Sequence, residues 1–126
     1  MGDENRADDW LAQATNDLDF AQNALSHQFY AQCCFICQQS AEKALKSLVL
    51  RRGAKAAFTH SLYKLCLALG INGELESAAK TLDRYYVSAR YPDALPGGAP
   101  FQIFQPQEAA EALTLATKIL DAAQRG

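Results

Sequence analysis

The chain is predicted to be all-α, an antiparallel up-and-down bundle of four long helices plus one short helix. Three observations predict it. Proline is absent before Pro92, apolar residues recur at three- and four-residue steps over four long segments, and no stretch alternates apolar and polar residues as a half-buried strand does. The length of 126 residues reads as a single domain, 1–126, long enough to enclose a core without disulfides or metal.

The first helix is expected from about Arg6 to Ser26, where Trp10, Leu11, Ala14, Leu18, Ala21 and Leu25 form one apolar stripe. Asp3, Glu4, Asp8 and Asp9 load its start, where the helix dipole favours negative charge. "SHQF" makes the turn. The second helix runs from about Phe29 to Arg52, with Cys34, Cys37, Ala41, Ala44, Leu45 and Leu48 inward. Lys46, Arg51 and Arg52 load its end, and Gly53 stops it. At about 100° per residue, Phe35, Ile36 and Leu50 fall on the opposite side from that stripe. This helix must therefore be covered twice, either as the central rod of its own bundle or by another subunit.

"GAKAAFTH" reads as a loop, with Thr59 placed to N-cap a short helix from about His60 to Leu69, closed by Gly70 and Gly73. A fourth helix is expected from about Glu74 to Ala89, with Leu75, Ala78, Ala79, Leu82, one of Tyr85 and Tyr86, and Ala89 inward. Pro92 pushes Tyr91 out of helical geometry and ends it. Residues 91–104, "YPDALPGGAPFQIF", form a long proline- and glycine-rich loop of the kind that often has a function. Pro106 suits the first turn of a last helix reaching about Ala123, with Ala109, Ala112, Leu113, Ala116, Ile119 and Leu120 inward.

The net charge of −2 argues against nucleic-acid binding driven by overall charge, while leaving room for a local basic patch. No apolar run approaches membrane-spanning length, and the acidic start is unlike a secretory or transit signal, so no membrane partner and a cytoplasmic location are expected. Cys33, Cys34, Cys37 and Cys66 read as core thiols. Cys34 and Cys37 have the spacing of a redox or metal pair, but they sit mid-helix and no second pair follows. Neither a metal nor a cofactor is expected. The chain has no glycine-rich phosphate loop leading into a Lys-Ser/Thr helix start, no zinc-protease motif and no Ser–His–Asp signature.

"YAQCCFICQQSAEKALKSLVLRRG", "THSLYKLCLALG" and "LDRYYVSARYPDA", in that order, resemble the hallmark blocks of HEPN-domain proteins. The resemblance spans nearly the whole chain, and the combination of "QQSAEKALK" with "RYPD" is fairly specific. It implies a helical bundle that often pairs into a homodimer. Many such proteins are companions of minimal nucleotidyltransferases in toxin–antitoxin or phage-defence pairs. Some are metal-independent ribonucleases whose arginine is followed four to six residues later by a histidine. Here Arg90 matches the arginine, but residues 91–97 contain no histidine, and the two in the chain, His27 and His60, lie elsewhere. Cleavage of RNA at neutral pH wants a group that exchanges protons there, which histidine does best. An aspartate such as Asp93 is ordinarily ionised and repels phosphate. The reading therefore leans against an enzyme while leaving phosphate binding by Arg90 open.

Arg90 either holds a phosphate with its guanidinium fork or braces the proline loop by pairing with Asp93, Asp83 or a carbonyl. His60 either contacts a ligand, completing the site with Arg90 through space, or is a capping or buried hydrogen-bonded histidine that fixes the loop. Tyr85, Tyr86 and Tyr91 cluster with Arg84 and Arg90, and such a mixture can stack bases and hold phosphates or simply rim the bundle. The resemblance adds that Tyr91 could be the target of a nucleotidyltransferase. Gln38 is expected to be partly buried and hydrogen-bonded, and Glu42 with Lys46 to be an i,i+4 helix-supporting pair. Lys43 contacts a partner or anion, or is solvated. The candidate catalytic residues are Arg90 and His60, and the candidate ligand contacts are Arg90, Tyr86, Tyr91, Asp93, His60 and Lys43. The leading expectation is a dimeric binding module for a nucleotide, RNA or a nucleotidyltransferase. The alternatives are a ribonuclease whose histidine role has moved to His60, and an inert dimeric adaptor.

Overall fold

The computed structural model describes residues 3–54 and 59–126. Within them lie α1 (Asp3–Ser26), α2 (Tyr30–Arg51), α3 (Leu62–Leu69), α4 (Glu74–Asp83), α5 (Tyr85–Ser88), a 3-10 turn (Pro92–Ala94), α6 (Pro100–Ile103) and α7 (Pro106–Arg125). No strand occurs among the described residues, and none of their helices is long and apolar enough to cross a membrane.

Small residues let α1 and α2 approach closely. Ala7, Ala14 and Ala21, seven residues apart, are all buried on α1, and Cys34, Cys37, Ala41 and Ala44 are buried on α2. The approach is close enough for the Ser40 hydroxyl of α2 to donate to the Ala14 carbonyl of α1 at 2.8 Å, which satisfies a buried polar group between two helices. α2 also packs against α7, α3 and the segments from α4 to α6, so it is the central rod. Leu50 is buried within the chain, while Phe35 and Ile36 are half-buried. All four cysteines are free and buried, as core thiols should be.

The turns follow from local chemistry. α2 ends in a Schellman arrangement: the Gly53 N–H donates to Leu50 and the Ala54 N–H to Val49, with Gly53 at a φ of +81°. α1 ends the same way, but the residue in the left-handed conformation is Gln28, with φ +69°. Part of the stretch read as a loop, residues 55–58, lies outside the described residues. The start of α3 differs from expectation. Ser61, not Thr59, is its N-cap, its hydroxyl accepting from Lys64 N–H, while Thr59 Oγ1 accepts from Ser61 N–H. Asp83, at the end of α4, reinforces that cap by accepting from Leu62 N–H at 2.7 Å and Tyr63 N–H at 3.0 Å. A carboxylate arriving from another element satisfies the orphan amides better than a local hydroxyl can alone.

The expected fourth helix is interrupted at Arg84, where the chain tightens into an i→i+3 bond to Thr81 and then resumes as α5. Tyr85 turns into the core and Tyr86 to the rim, as adjacent helical positions must. Tyr91 is extended before Pro92. The long loop is more ordered than its composition implied. Pro92 starts the 3-10 turn and Pro100 starts α6, whose N-cap amide is bound by Gln102 at 3.0 Å. α7 begins at Pro106, with Glu108 accepting from the Gln105 amide at 3.0 Å.

Candidate functional site

Arg90 follows α5 and is aimed by its own helix end: Nε donates to the Tyr86 carbonyl at 2.7 Å. Its guanidinium carbon lies 4.4 Å from the Phe35 ring centre, 4.6 Å from that of Tyr86 and 5.0 Å from that of Tyr91. Each distance is within cation–π range, and three rings around one planar cation fix its orientation. Of the three alternatives for an internal partner, the carbonyl is the one found. No carboxylate among the described residues pairs with Arg90, and no acceptor among them binds its two Nη groups. The side chain is half-buried and forms one wall of a groove of about 290 Å³ with Phe20, Gln32, Phe35, Ile36 and Ala89.

Tyr86 links Arg90 to His60. The His60 ring stacks on it at 4.7 Å and 17° between planes. The separation of Arg90 and His60 therefore cannot exceed the sum of their distances from Tyr86. His60 Nδ1 lies 3.1 and 3.3 Å from the two carboxylate oxygens of Glu42, while 59% of its side chain stays exposed. Glu42 is buried and also receives Lys46 Nζ at 2.8 Å and Gln38 Nε2 at 3.4 Å. Gln38, fully buried, donates to the His60 carbonyl at 2.9 Å and accepts from Gln39 at 2.8 Å. Lys46 Nζ lies 5.7 Å from the Trp10 ring. The Glu42–Lys46 pair is thus the one expected from the spacing, but it is sealed under the α3 start rather than exposed.

The structure brings together Arg90, Tyr86, Tyr91 and His60, and adds Phe35, expected only on a covered helix face, and Glu42, expected only as helix support with Lys46. Helical spacing alone could not find them, because both are joined to the site by residues that follow in later elements. Asp93 is exposed on the 3-10 turn. Lys43 stands apart, hydrogen-bonded to Asp17 of α1. The aspartate accounts for Lys43 without any ligand.

The Cys34 and Cys66 thiols are chemically quiet. Burial pushes the Cys34 thiol well above its ordinary range and raises Cys66 to about 11. No group of three or more histidine, cysteine or acidic side chains among the described residues is arranged to hold a metal.

A helical bundle around α2 with an arginine just beyond α5 belongs to a class that comparison makes specific. The HEPN domain family model matches residues 7–126, and the chain belongs to that family. It is similar to TT1696 of Thermus thermophilus, with 46% identity over 96% of this chain and 98% of that one and a TM-score of 0.90. It is also similar to ST0689, an archaeal HEPN homologue, with 34% identity over 94% and 95% of the two chains and a TM-score of 0.80. A HEPN domain protein of Thermotoga maritima shares 33% identity over 92% and 94%, with a TM-score of 0.73. No curated protein matches the chain.

Proposed function

We propose that this HEPN protein is a cytoplasmic binding module that receives a phosphate of a nucleotide or of single-stranded RNA on Arg90. The observation that supports this most is the guanidinium held among three aromatic rings without a carboxylate partner among the described residues. Nε is taken by the Tyr86 carbonyl, but an arginine oriented by stacking whose Nη groups find no acceptor among the described residues is set to grip an anion by two parallel bonds. Tyr91, 52% exposed, offers a flat face for a base beside it. The module acts as a homodimer, with a minimal nucleotidyltransferase as its partner in a toxin–antitoxin or phage-defence pair. Family membership supports both expectations, and the exposed Phe20 and Phe29 beside the Arg90 groove support the first.

A second reading is favoured by one contact. His60 on Glu42 resembles an oriented acid–base pair, so a ribonuclease with its histidine relocated to position 60 is the alternative. Titrating fluorescent single-stranded RNA and nucleotides with wild type and Arg90→Ala tests the binding reading. Losing a charge-assisted contact of about 1.5–3 kcal/mol should weaken binding roughly tenfold to a hundredfold. No change in signal with either protein would leave an inert adaptor, and equal binding by both would take Arg90 out of the site. Incubating RNA in EDTA with wild type, Arg90→Ala and His60→Ala tests the ribonuclease: cleavage by wild type alone supports it, and no cleavage removes it.

A further inference from the structure

We propose that Asp83 is the positioning residue of the Arg90 site: by clamping the start of α3 it holds Tyr86 where that residue can aim the guanidinium. This rests on the phosphate-binding reading of Arg90 and adds the restraint that keeps its site in shape. Both carboxylate oxygens of Asp83 are occupied by consecutive residues. Oδ1 accepts from Leu62 N–H at 2.7 Å, and Oδ2 accepts from Tyr63 N–H at 3.0 Å and from the Ser61 hydroxyl at 3.2 Å. A carboxylate fixes the amides of a first helical turn from two sides, where a single hydroxyl fixes one. His60 precedes Ser61, and its ring stacks at 4.7 Å on Tyr86, three positions beyond Asp83. The contacts therefore close a ring: from Asp83 across to α3, back one residue to His60, across to Tyr86 and along the chain to Asp83.

α5 needs that ring. At four residues it is a single turn, too short to hold itself. Tyr85 anchors it inward, edge-on to Phe104 at 5.7 Å, but one anchored side chain leaves the turn free to rock about it. The stack on His60 removes that freedom, and Gln38 Nε2, donating to the His60 carbonyl at 2.9 Å, ties His60 to the central rod. Tyr86 then gives Arg90 both its carbonyl, 2.7 Å from Nε, and its ring face, 4.6 Å from the guanidinium carbon. Asp83 itself does not line the groove, and a carboxylate there would repel an anion, so its contribution to binding is one of preorganisation.

The test titrates labelled oligouridylate into wild type, Asp83→Asn and Ser61→Ala. An asparagine amide has one acceptor oxygen and cannot serve all three donors. Asp83→Asn should weaken binding about fivefold, even though it removes an acid from an anion-binding protein. Ser61→Ala removes the local cap of α3 but leaves Leu62 and Tyr63 on the carboxylate, so it should lower the melting temperature and bind as wild type. Binding unchanged or tightened in Asp83→Asn, or weakened equally in both variants, overturns the proposal. Hydrogen exchange of the Arg90 Nε–H in the ligand-free protein separates positioning from phosphate binding. It should be slow in wild type and faster in Asp83→Asn. It should also be faster in His60→Ala, which cuts the ring of contacts at a side chain 59% exposed and so spares the fold. Wild-type exchange in His60→Ala overturns the positioning role whether or not Asp83→Asn folds. Failure of wild type to bind the strand removes the phosphate reading, and the exchange rates then decide the role of Asp83 alone.

Discussion

Lys46 and Glu42 are four residues apart, a spacing that on an exposed helix contributes a few tenths of a kcal/mol. Here both are nearly sealed, at 7% and 5% exposure, and Glu42 also anchors His60 and Gln38. Removing one partner of a buried pair leaves the other charge desolvated and unbalanced. Lys46→Ala should therefore cost about 3 kcal/mol in urea unfolding, and a loss within experimental error would mean that water reaches the pair. The sequence shows the pairing but not its burial. The cover comes from the start of α3, eighteen positions on from Glu42 at His60, and no local pattern encodes that contact. Arg90 was legible as a residue from the family motif. Its cage was not, because Phe35 belongs to a helix fifty-five positions earlier.

Helix ends are where element-scale chemistry was read least well. The turn at "SHQF" was expected, yet nothing in those letters signals that Gln28 takes a φ of +69°, the place usually given to glycine. The left-handed conformation costs an ordinary residue roughly 1–2 kcal/mol, offset in part by the greater chain entropy glycine loses. Gln28→Gly should thus raise stability by about 0.5–1 kcal/mol, read as a higher melting temperature. A lower one would place the cost in the unfolded chain. The apolar stripes, in contrast, were legible as faces: Ala14, Ala21, Ala41, Ala44, Ala112 and Ile119 are buried, while Trp10, Leu11, Leu18, Leu25, Leu75 and Leu113 are half-buried beside them. Periodicity reports which face turns inward, whereas caps such as Asp83 on α3 depend on a neighbour brought in by the fold.

At the scale of the whole molecule, the outer face of α2 was expected to need cover, and the chain supplies part of it. Leu50 is enclosed, but Phe35 and Ile36 remain half-buried, continuous with Phe20 at 57% and Phe29 at 55% exposure. If that face joins two copies, Phe20→Asp should shift the protein from dimer to monomer in light scattering without loss of helicity. A variant that scatters as wild type would locate the interface elsewhere. The core itself predicts alkaline sensitivity. Burial raises Cys66 from 9.0 to about 11 and Tyr85 from 10.0 to about 12. The folded form holds these protons more tightly than the unfolded form. Its stability is therefore complete below about pH 9 and declines as pH climbs through 11 towards 12. Urea midpoints from pH 7 to 11 should stay level and then fall, and a midpoint that rises above pH 9 would contradict the burial of these groups.

The most direct measurement is a nuclear magnetic resonance titration of the labelled protein with a short oligoribonucleotide, following the Arg90 Nε–H signal and the rings around it. Binding as described here moves Arg90, Tyr86, Tyr91, Phe35 and His60 together and saturates at one ratio. Shifts confined to the Trp10 and Lys43 side of α1, or none at all, would contradict it.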